Sequence, residues 1–254
     1  MNRGSQVNVL PLTPVVKWLI IASVGIWLVV QVIFEGIFKI PITSSLNLVP
    51  AHVIFEYRIW ELFTYMFLHS MQVTHILFNM LMLWFFGAEL EQRWGGKYFL
   101  FYYLFTGVGA AILYCIGMGT YAAATGSQLG VMIPVVGASG AIFGLMLAQG
   151  ILFGERTIYF FMLFPMKMRY FVMIMGGVQI ATMMTTSVSG SEVAYLAHVG
   201  GLASGYVALL ILSRWKNYES FKKSKKKGRN LRLVVDNEKP QKPQKSDNGP
   251  RYWN

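Results

Sequence analysis

The chain has 254 residues, a mean hydropathy of +0.48, 55% hydrophobic residues and only 13% charged residues, about half the charged share of a soluble domain. That composition excludes an ordinary soluble enzyme, and a single cysteine, Cys115, excludes an intramolecular disulfide or a cysteine-rich metal framework. The formal charge of +11 is concentrated at one end, with 13 basic and 4 acidic residues from Arg214 onward.

Crossing the hydrocarbon of a bilayer takes roughly 20 mostly apolar residues per helix, and six stretches qualify. Residues 1–15 form a short leading segment, too small for a soluble domain. The first span covers about Val16 to Phe38. No small-residue cleavage site follows its apolar stretch, where Glu35 and Lys39 come next, so it is expected to be retained and not removed as a signal peptide. A loop from about Ile40 to Gln72 leads to the second span, Val73 to Glu89, which carries His75 and Asn79. The third runs from Tyr98 to Gly119 with Cys115 as a buried thiol. The fourth, Gly137 to Phe153, opens on Ser139; the fifth is Tyr170 to Thr186; and the sixth, Val193 to Leu212, carries His198. These spans make residues 16–213 the membrane core of an all-α, polytopic six-helix bundle, with no internal repeat of 20 to 50 residues.

Short loops rich in Lys and Arg stay on the cytoplasmic side. Arg3 and Lys17, Arg93 and Lys97, then Arg156, Lys167 and Arg169, and finally the basic tail all fall on one side, so both termini are expected to be cytoplasmic. The tail, residues 214–254 with the run Lys222, Lys223, Lys225, Lys226 and Lys227, buries too little apolar surface to fold and is expected to be disordered from about Lys216. Its charge reads as a topology determinant attracted to anionic lipid headgroups, with no nucleic-acid partner.

Polar groups inside spans are costly and by default mark function. The ones singled out are His75, Asn79, Ser139 and His198. His75 and Asn79 are four apart and stack on one helical face. Spans two, four and six run in the same direction, so all four groups can converge at one depth near the outward end of the bundle. A serine and a histidine meeting in a dry pocket suit nucleophilic catalysis, because imidazole can take the hydroxyl proton and return it to a leaving amine. No acid lies within a span near Ser139; Asp236 and Asp247 are in the tail, and Glu192 is six residues before His198. A hydrolase built on these residues therefore uses a dyad, and Phe143, four residues after Ser139, could supply a ring on which the base packs. The small-xxx-small pairs Gly140/Gly144 and Gly201/Gly205 would let the two helices approach closely. A metalloprotease needs two histidines and a Glu in the pattern H-E-x-x-H. His69 and His75 enclose no acid, so no metal or other cofactor is expected.

The segments HILFN (His75 to Asn79), GASGAIFG (Gly137 to Gly144) and AHVGGLASG (Ala197 to Gly205) resemble, in that order, the three motifs of rhomboid intramembrane serine proteases. The resemblance implies Ser139 as nucleophile and His198 as general base. It implies an oxyanion site made of the Ser139 backbone N–H with His75 and Asn79, Phe143 packed on the base, and Glu91 and Arg93 as a polar pair at the inner end of span two. It also implies that residues 40–72 form a partly embedded hairpin, that substrates are membrane proteins reaching the site near spans two and five, and that the host is a bacterial cytoplasmic membrane. Two positions depart from the family pattern: Trp60-Glu61 stands where Trp-Arg is common, and His69 precedes His75 by six residues where five is usual. The competing readings are a catalytically silent rhomboid-like protein that escorts membrane clients and a transporter or channel. The first would lack Ser139 or His198; the second would carry a charge deep in a span.

Overall fold

Pro14 occupies the first turn of helix α1 (Pro14–Ile37), where its missing N–H costs nothing. The backbone N–H groups of Val15 and Val16 that open this helix donate to the Glu91 carboxylate at 2.9 Å each, and the Thr13 hydroxyl donates to the same group. A buried carboxylate there complements the helix dipole. The computed structural model describes residues 11–160, 163–185 and 194–226, the last eleven of them as backbone only. Contacts divide the chain into two units, residues 1–215 and 216–254.

From Trp27 to Ile37 helix α1 continues with the wider π turn, a geometry that often accompanies functional sites. It turns Trp27 and Gln31 toward the chain ahead of the next long helix. Trp27 Nε1 donates to the Ser70 carbonyl at 3.0 Å, and the Gln31 amide bonds both the N–H and the carbonyl of His69. Between them, residues 40–72 fold into α2 (Pro50–Phe55), α3 (Glu61–Thr64) and short 3-10 turns, with α2 and α3 packed on α5.

Helix α4 (Val73–Trp94) turns directly into α5 (Gly96–Thr125) at Gly95, whose φ of +85° suits glycine. Helix α6 (Ser139–Leu152) packs against α4, α5 and α7 (Met168–Thr185), and the last helix is α8 (Ala194–Lys226). Tyr102, Tyr103, Tyr114, Phe86, Phe99 and Leu145 are fully buried between them. A Cβ on Gly201 would overlap the Gly140 carbonyl oxygen, and one on Gly205 would lie 2.9 Å from the Gly144 Cα. Here α6 and α8 touch backbone to backbone. The Tyr102 hydroxyl pins the same crossing from α5, 2.8 Å from the Gly144 carbonyl and 3.1 Å from that of Gly205. Gln149 Nε2 ties α6 to α4 through the Phe86 carbonyl at 2.9 Å.

Helices stand at all six expected span positions. Four are long and apolar enough to cross a bilayer by length and composition: Pro14–Ile37, Val73–Trp94, Gly96–Thr125 and Ala194–Trp215. Helix α6, apolar but only 14 residues long, reaches about 21 Å. Three expectations need correction. Helix α5 extends six residues beyond Gly119, to Thr125, before Gly126 (φ +71°) ends it. The fold is not wholly helical: β1 (Thr157–Phe160) pairs antiparallel with β2 (Phe164–Lys167) between α6 and α7. Its β-branched and aromatic residues favour extended backbone, but the basic residues around them read as a plain loop. Finally, helix α8 does not stop near Lys216. Its backbone stays helical to Lys226, because residues 216–226 hold neither Gly nor Pro and an established helix propagates at little cost. The rest of the tail and residues 1–10 lie outside the described residues.

The glycine crossing yields a paired test. Gly201→Ala should lower unfolding stability by about 1 to 3 kcal/mol through overpacking. Gly177→Ala on α7, whose Cβ meets nothing within 4 Å, should leave it unchanged or slightly higher; denaturant titration of both variants in detergent micelles measures the difference.

Candidate active site

Ser139 is the first residue of α6, placed there by a turn that only glycine takes easily: Gly137 has φ +118° and donates its N–H to the Tyr65 carbonyl at 2.9 Å. The first backbone N–H groups of a helix have no partner within it, so the Ser139 N–H stays available beside its own hydroxyl. Across the glycine crossing, Ser139 Oγ lies 2.8 Å from His198 Nε2 on α8. The Phe143 ring stacks on the imidazole with centroids 4.4 Å apart and planes 19° from parallel, and Tyr195 meets its edge at 6.3 Å. On the far side of the ring, His198 Nδ1 lies 2.8 Å from Gln179 Oε1 of α7.

His75 is held from the segment that α1 grips. Its Nδ1 accepts the Ser70 backbone N–H at 3.1 Å, with the Ser70 hydroxyl at 3.0 Å. An Nδ1 that accepts leaves the proton of the neutral ring on Nε2. That nitrogen sits beside the Gly137 turn, where a Cβ on Gly137 would come within 3.1 Å of it. Asn79 Nδ2 donates one proton to the His75 carbonyl at 2.8 Å, leaving its second N–H for another acceptor. His75, Asn79, Ser139 and His198 all line one cavity of about 750 Å³ at the N-terminal ends of α4, α6 and α8, with Phe78 and Val136 among its apolar walls. A second, apolar cavity of about 550 Å³ between α4, the hairpin and α7 shares Phe78 with it.

The other sequence-predicted positions fall around this site. Glu61, at the departure from the Trp-Arg pattern, is fully buried; its carboxylate accepts the Val49 N–H at 3.0 Å and lies 3.0 Å from His52 Nδ1, while Trp60 donates to the Ser45 carbonyl at 2.9 Å. His69 is also fully buried and packs on His75, with ring centroids 5.4 Å apart. Glu91 and Arg93 do not pair with each other: Glu91 caps α1, and the Arg93 guanidinium lies over the Phe153 ring at 5.3 Å. Three further buried amides, Gln31, Gln149 and Gln179, stand in apolar stretches, where the cost of burying a polar group in a bilayer marks each as needing a partner.

Fold and site together define a helical membrane protein with a serine and a histidine hydrogen-bonded at the end of a glycine-lined helix crossing. Residues 56–215 match the model of the Rhomboid domain, and the chain belongs to the rhomboid family. It is 30% identical over 159 residues to the RHOMBOID-like protein 12, mitochondrial, of Arabidopsis thaliana, covering 59% of this chain and 46% of that one. RHOMBOID-like protein 1 of the same plant is 31% identical over 156 residues, 61% of this chain and 35% of its own length. RHOMBOID-like protein 6, mitochondrial, is 30% identical over 176 residues, 68% and 50%. The matched part of this chain thus spans half or less of these relatives.

The loop histidine gives a pH test. Burial, reinforced by the neighbouring His75, pulls the His69 imidazole from its ordinary 6.5 down to about 4. Between those values the unfolded chain takes up a proton that folded His69 refuses, so this contribution to stability is complete above pH 6.5 and is lost as the pH falls toward 4. The stability of wild type against unfolding in micelles should therefore fall with acid more steeply than that of His69→Phe, by on the order of 1 kcal/mol per pH unit. Parallel pH dependences in the two proteins would remove His69 from that role.

Proposed function

We propose that this chain is an intramembrane serine endopeptidase that cleaves transmembrane segments of other membrane proteins, with Ser139 as nucleophile and His198 as base. The observation that carries the reading is the 2.8 Å contact between Ser139 Oγ and His198 Nε2 at the wall of a cavity that also holds two side-chain N–H donors. The Ser139 oxygen attacks the scissile carbonyl carbon as its proton passes to His198 Nε2. Charge then grows on the carbonyl oxygen, and donors preorganised toward it do most of their work in the transition state. Those donors are the Ser139 backbone N–H, His75 Nε2–H and the free N–H of Asn79. As the tetrahedral adduct collapses, the C–N bond breaks and the Nε2 proton goes to the leaving amine. Water then attacks the acyl-enzyme, gives its proton to Nε2 and releases the acid, and the hydroxyl of Ser139 is restored.

The substrate must present an unwound peptide bond, since a helical one is hydrogen-bonded and shielded; segments with Gly or Pro unwind at least cost. The apolar cavity between α4 and α7, sharing Phe78 with the reaction cavity, supports lateral access between spans two and five. The same proposal includes six spans with both termini cytoplasmic, short leading residues 1–15, core 16–213 and a basic tail 214–254 that meets anionic lipid. The motif resemblance implies a bacterial cytoplasmic membrane as host, whereas the relatives just described are plant proteins, two of them named mitochondrial.

Incubated in liposomes with a single-span substrate, wild type should cleave near the outward end of the span. Ser139→Ala and His198→Ala should each fall to background, with the double variant no worse than either single one. Asn79→Ala should lose about 100- to 1,000-fold in rate with its fold intact. Cleavage by Ser139→Ala, or loss of cleavage to a metal chelator, would overturn the serine mechanism. Substrate binding without cleavage by wild type would instead favour the escort reading.

A further inference from the structure

An unpaired amide is expensive inside an apolar helix bundle. Gln179 is nonetheless 93% buried on α7, a helix otherwise dominated by apolar residues in its second half, and its carbonyl oxygen lies 2.8 Å from His198 Nδ1. Between these two atoms only one arrangement forms a hydrogen bond: Nδ1 carries the proton and Oε1 accepts it. A neutral imidazole protonated on Nδ1 has its lone pair on Nε2, the nitrogen 2.8 Å from the Ser139 hydroxyl.

From this geometry we infer that Gln179 is the positioning residue of the dyad: its amide oxygen holds His198 in the tautomer that can accept the Ser139 proton. The inference rests on the protease reading above and adds to the dyad a third, uncharged member on a third helix. The opposite tautomer would aim Nε2–H at the Ser139 oxygen and leave the ring no lone pair for the hydroxyl proton.

The choice of an amide follows from where the site lies. A carboxylate in this place would have to be desolvated in a low-dielectric bundle, a cost that its attraction to an imidazolium only partly repays. Gln179 sets the tautomer without that cost. It brings no full negative charge to the protonated ring, and Phe143 covers that need in part, because its π face lies parallel to the imidazole at 4.4 Å, where a cation is attracted to the ring quadrupole. Orientation and charge stabilisation are thus divided between α7 and α6. The arrangement also makes the state of the base depend on where α7 sits, since a displacement of that helix by an ångström or two would break the Nδ1 contact and release the ring to either tautomer.

The test uses the full chain in detergent micelles, labelled with nitrogen-15 at histidine, with the His198 signals assigned by their loss in His198→Ala. Nitrogen shifts distinguish protonated from unprotonated ring nitrogens. Wild type should show His198 protonated on Nδ1. Gln179→Met, of similar length but without an acceptor oxygen, should show mixed tautomers. Its kcat should fall roughly 10- to 100-fold with KM within about threefold, a loss smaller than that for removing the base itself. Gln179→Glu restores an acceptor and should recover most of kcat. An Nε2-protonated ring in wild type would overturn the inference, as would a Gln179→Met protein with unchanged tautomer and kcat, or equal loss in the Met and Glu variants with the tautomer unmoved. The tautomer readout needs no substrate. A Gln179-dependent tautomer in a chain that cuts nothing would therefore defeat the protease reading alone, and an active chain indifferent to Gln179 would defeat this inference alone.

Discussion

The backbone contact between Gly201 and Gly140 is the constraint on which the rest of the molecule depends. Without side chains at that crossing, α6 and α8 approach until one backbone rests on the carbonyl of the other. Ser139 precedes one of these glycines and His198 stands three residues before the other, so the same approach that packs the helices brings a hydroxyl and an imidazole to 2.8 Å. Packing and chemistry are therefore not separate layers here. Tyr102 adds a fixed third point, its hydroxyl shared between the carbonyls of Gly144 and Gly205.

Around that crossing, the structure answers a single demand repeatedly: a polar group removed from water must find a partner inside the protein. Glu91 takes the open N–H groups of α1; Gln31 takes both backbone groups of His69; Gln149 takes a carbonyl of α4; and Glu61 takes Val49 and His52. These contacts form a chain of position that ends at the cavity lined by Ser139 and His198. Helix α1, fixed at one end by Glu91, holds His69 and Ser70 at the other through its π turn, and Ser70 in turn sets the ring of His75 with Nε2–H free. A helix that lends no residue to that cavity thus determines where the His75 N–H points.

Much of this could be read from the residues. Apolar length located helices at all six positions, and four of them are long and apolar enough to cross a bilayer. Helical spacing and span direction put His75, Asn79, Ser139 and His198 at one depth, and the structure has all four lining one cavity; the roles of nucleophile, base and donor are what the resemblance of HILFN, GASGAIFG and AHVGGLASG implies. Three things were not legible, each for a physical reason. The hairpin Thr157–Phe160 with Phe164–Lys167 was masked by basic residues that signal topology more strongly than its aromatic residues signal strand. The helical stretch from Lys216 to Lys226 depends on continuation from a preceding helix and not on its own composition. The burial cost of an amide in MGGVQIAT marks Gln179 as a residue that needs a partner, but not which one: the isolated amide carries no spacing signal, and its contact with His198 appears only when α7 is placed beside α8.

The assignment of Ser139 as an activated nucleophile is tested most directly without any substrate, by reacting the full chain in micelles with a fluorophosphonate and mapping the adduct by peptide mass spectrometry. A serine whose proton is taken by an adjacent imidazole should react, whereas ordinary serines in the chain should not. A single adduct on Ser139 that disappears in His198→Ala is the expected result. No adduct in folded wild type, an adduct on another serine, or labelling of Ser139 that persists in His198→Ala would contradict it.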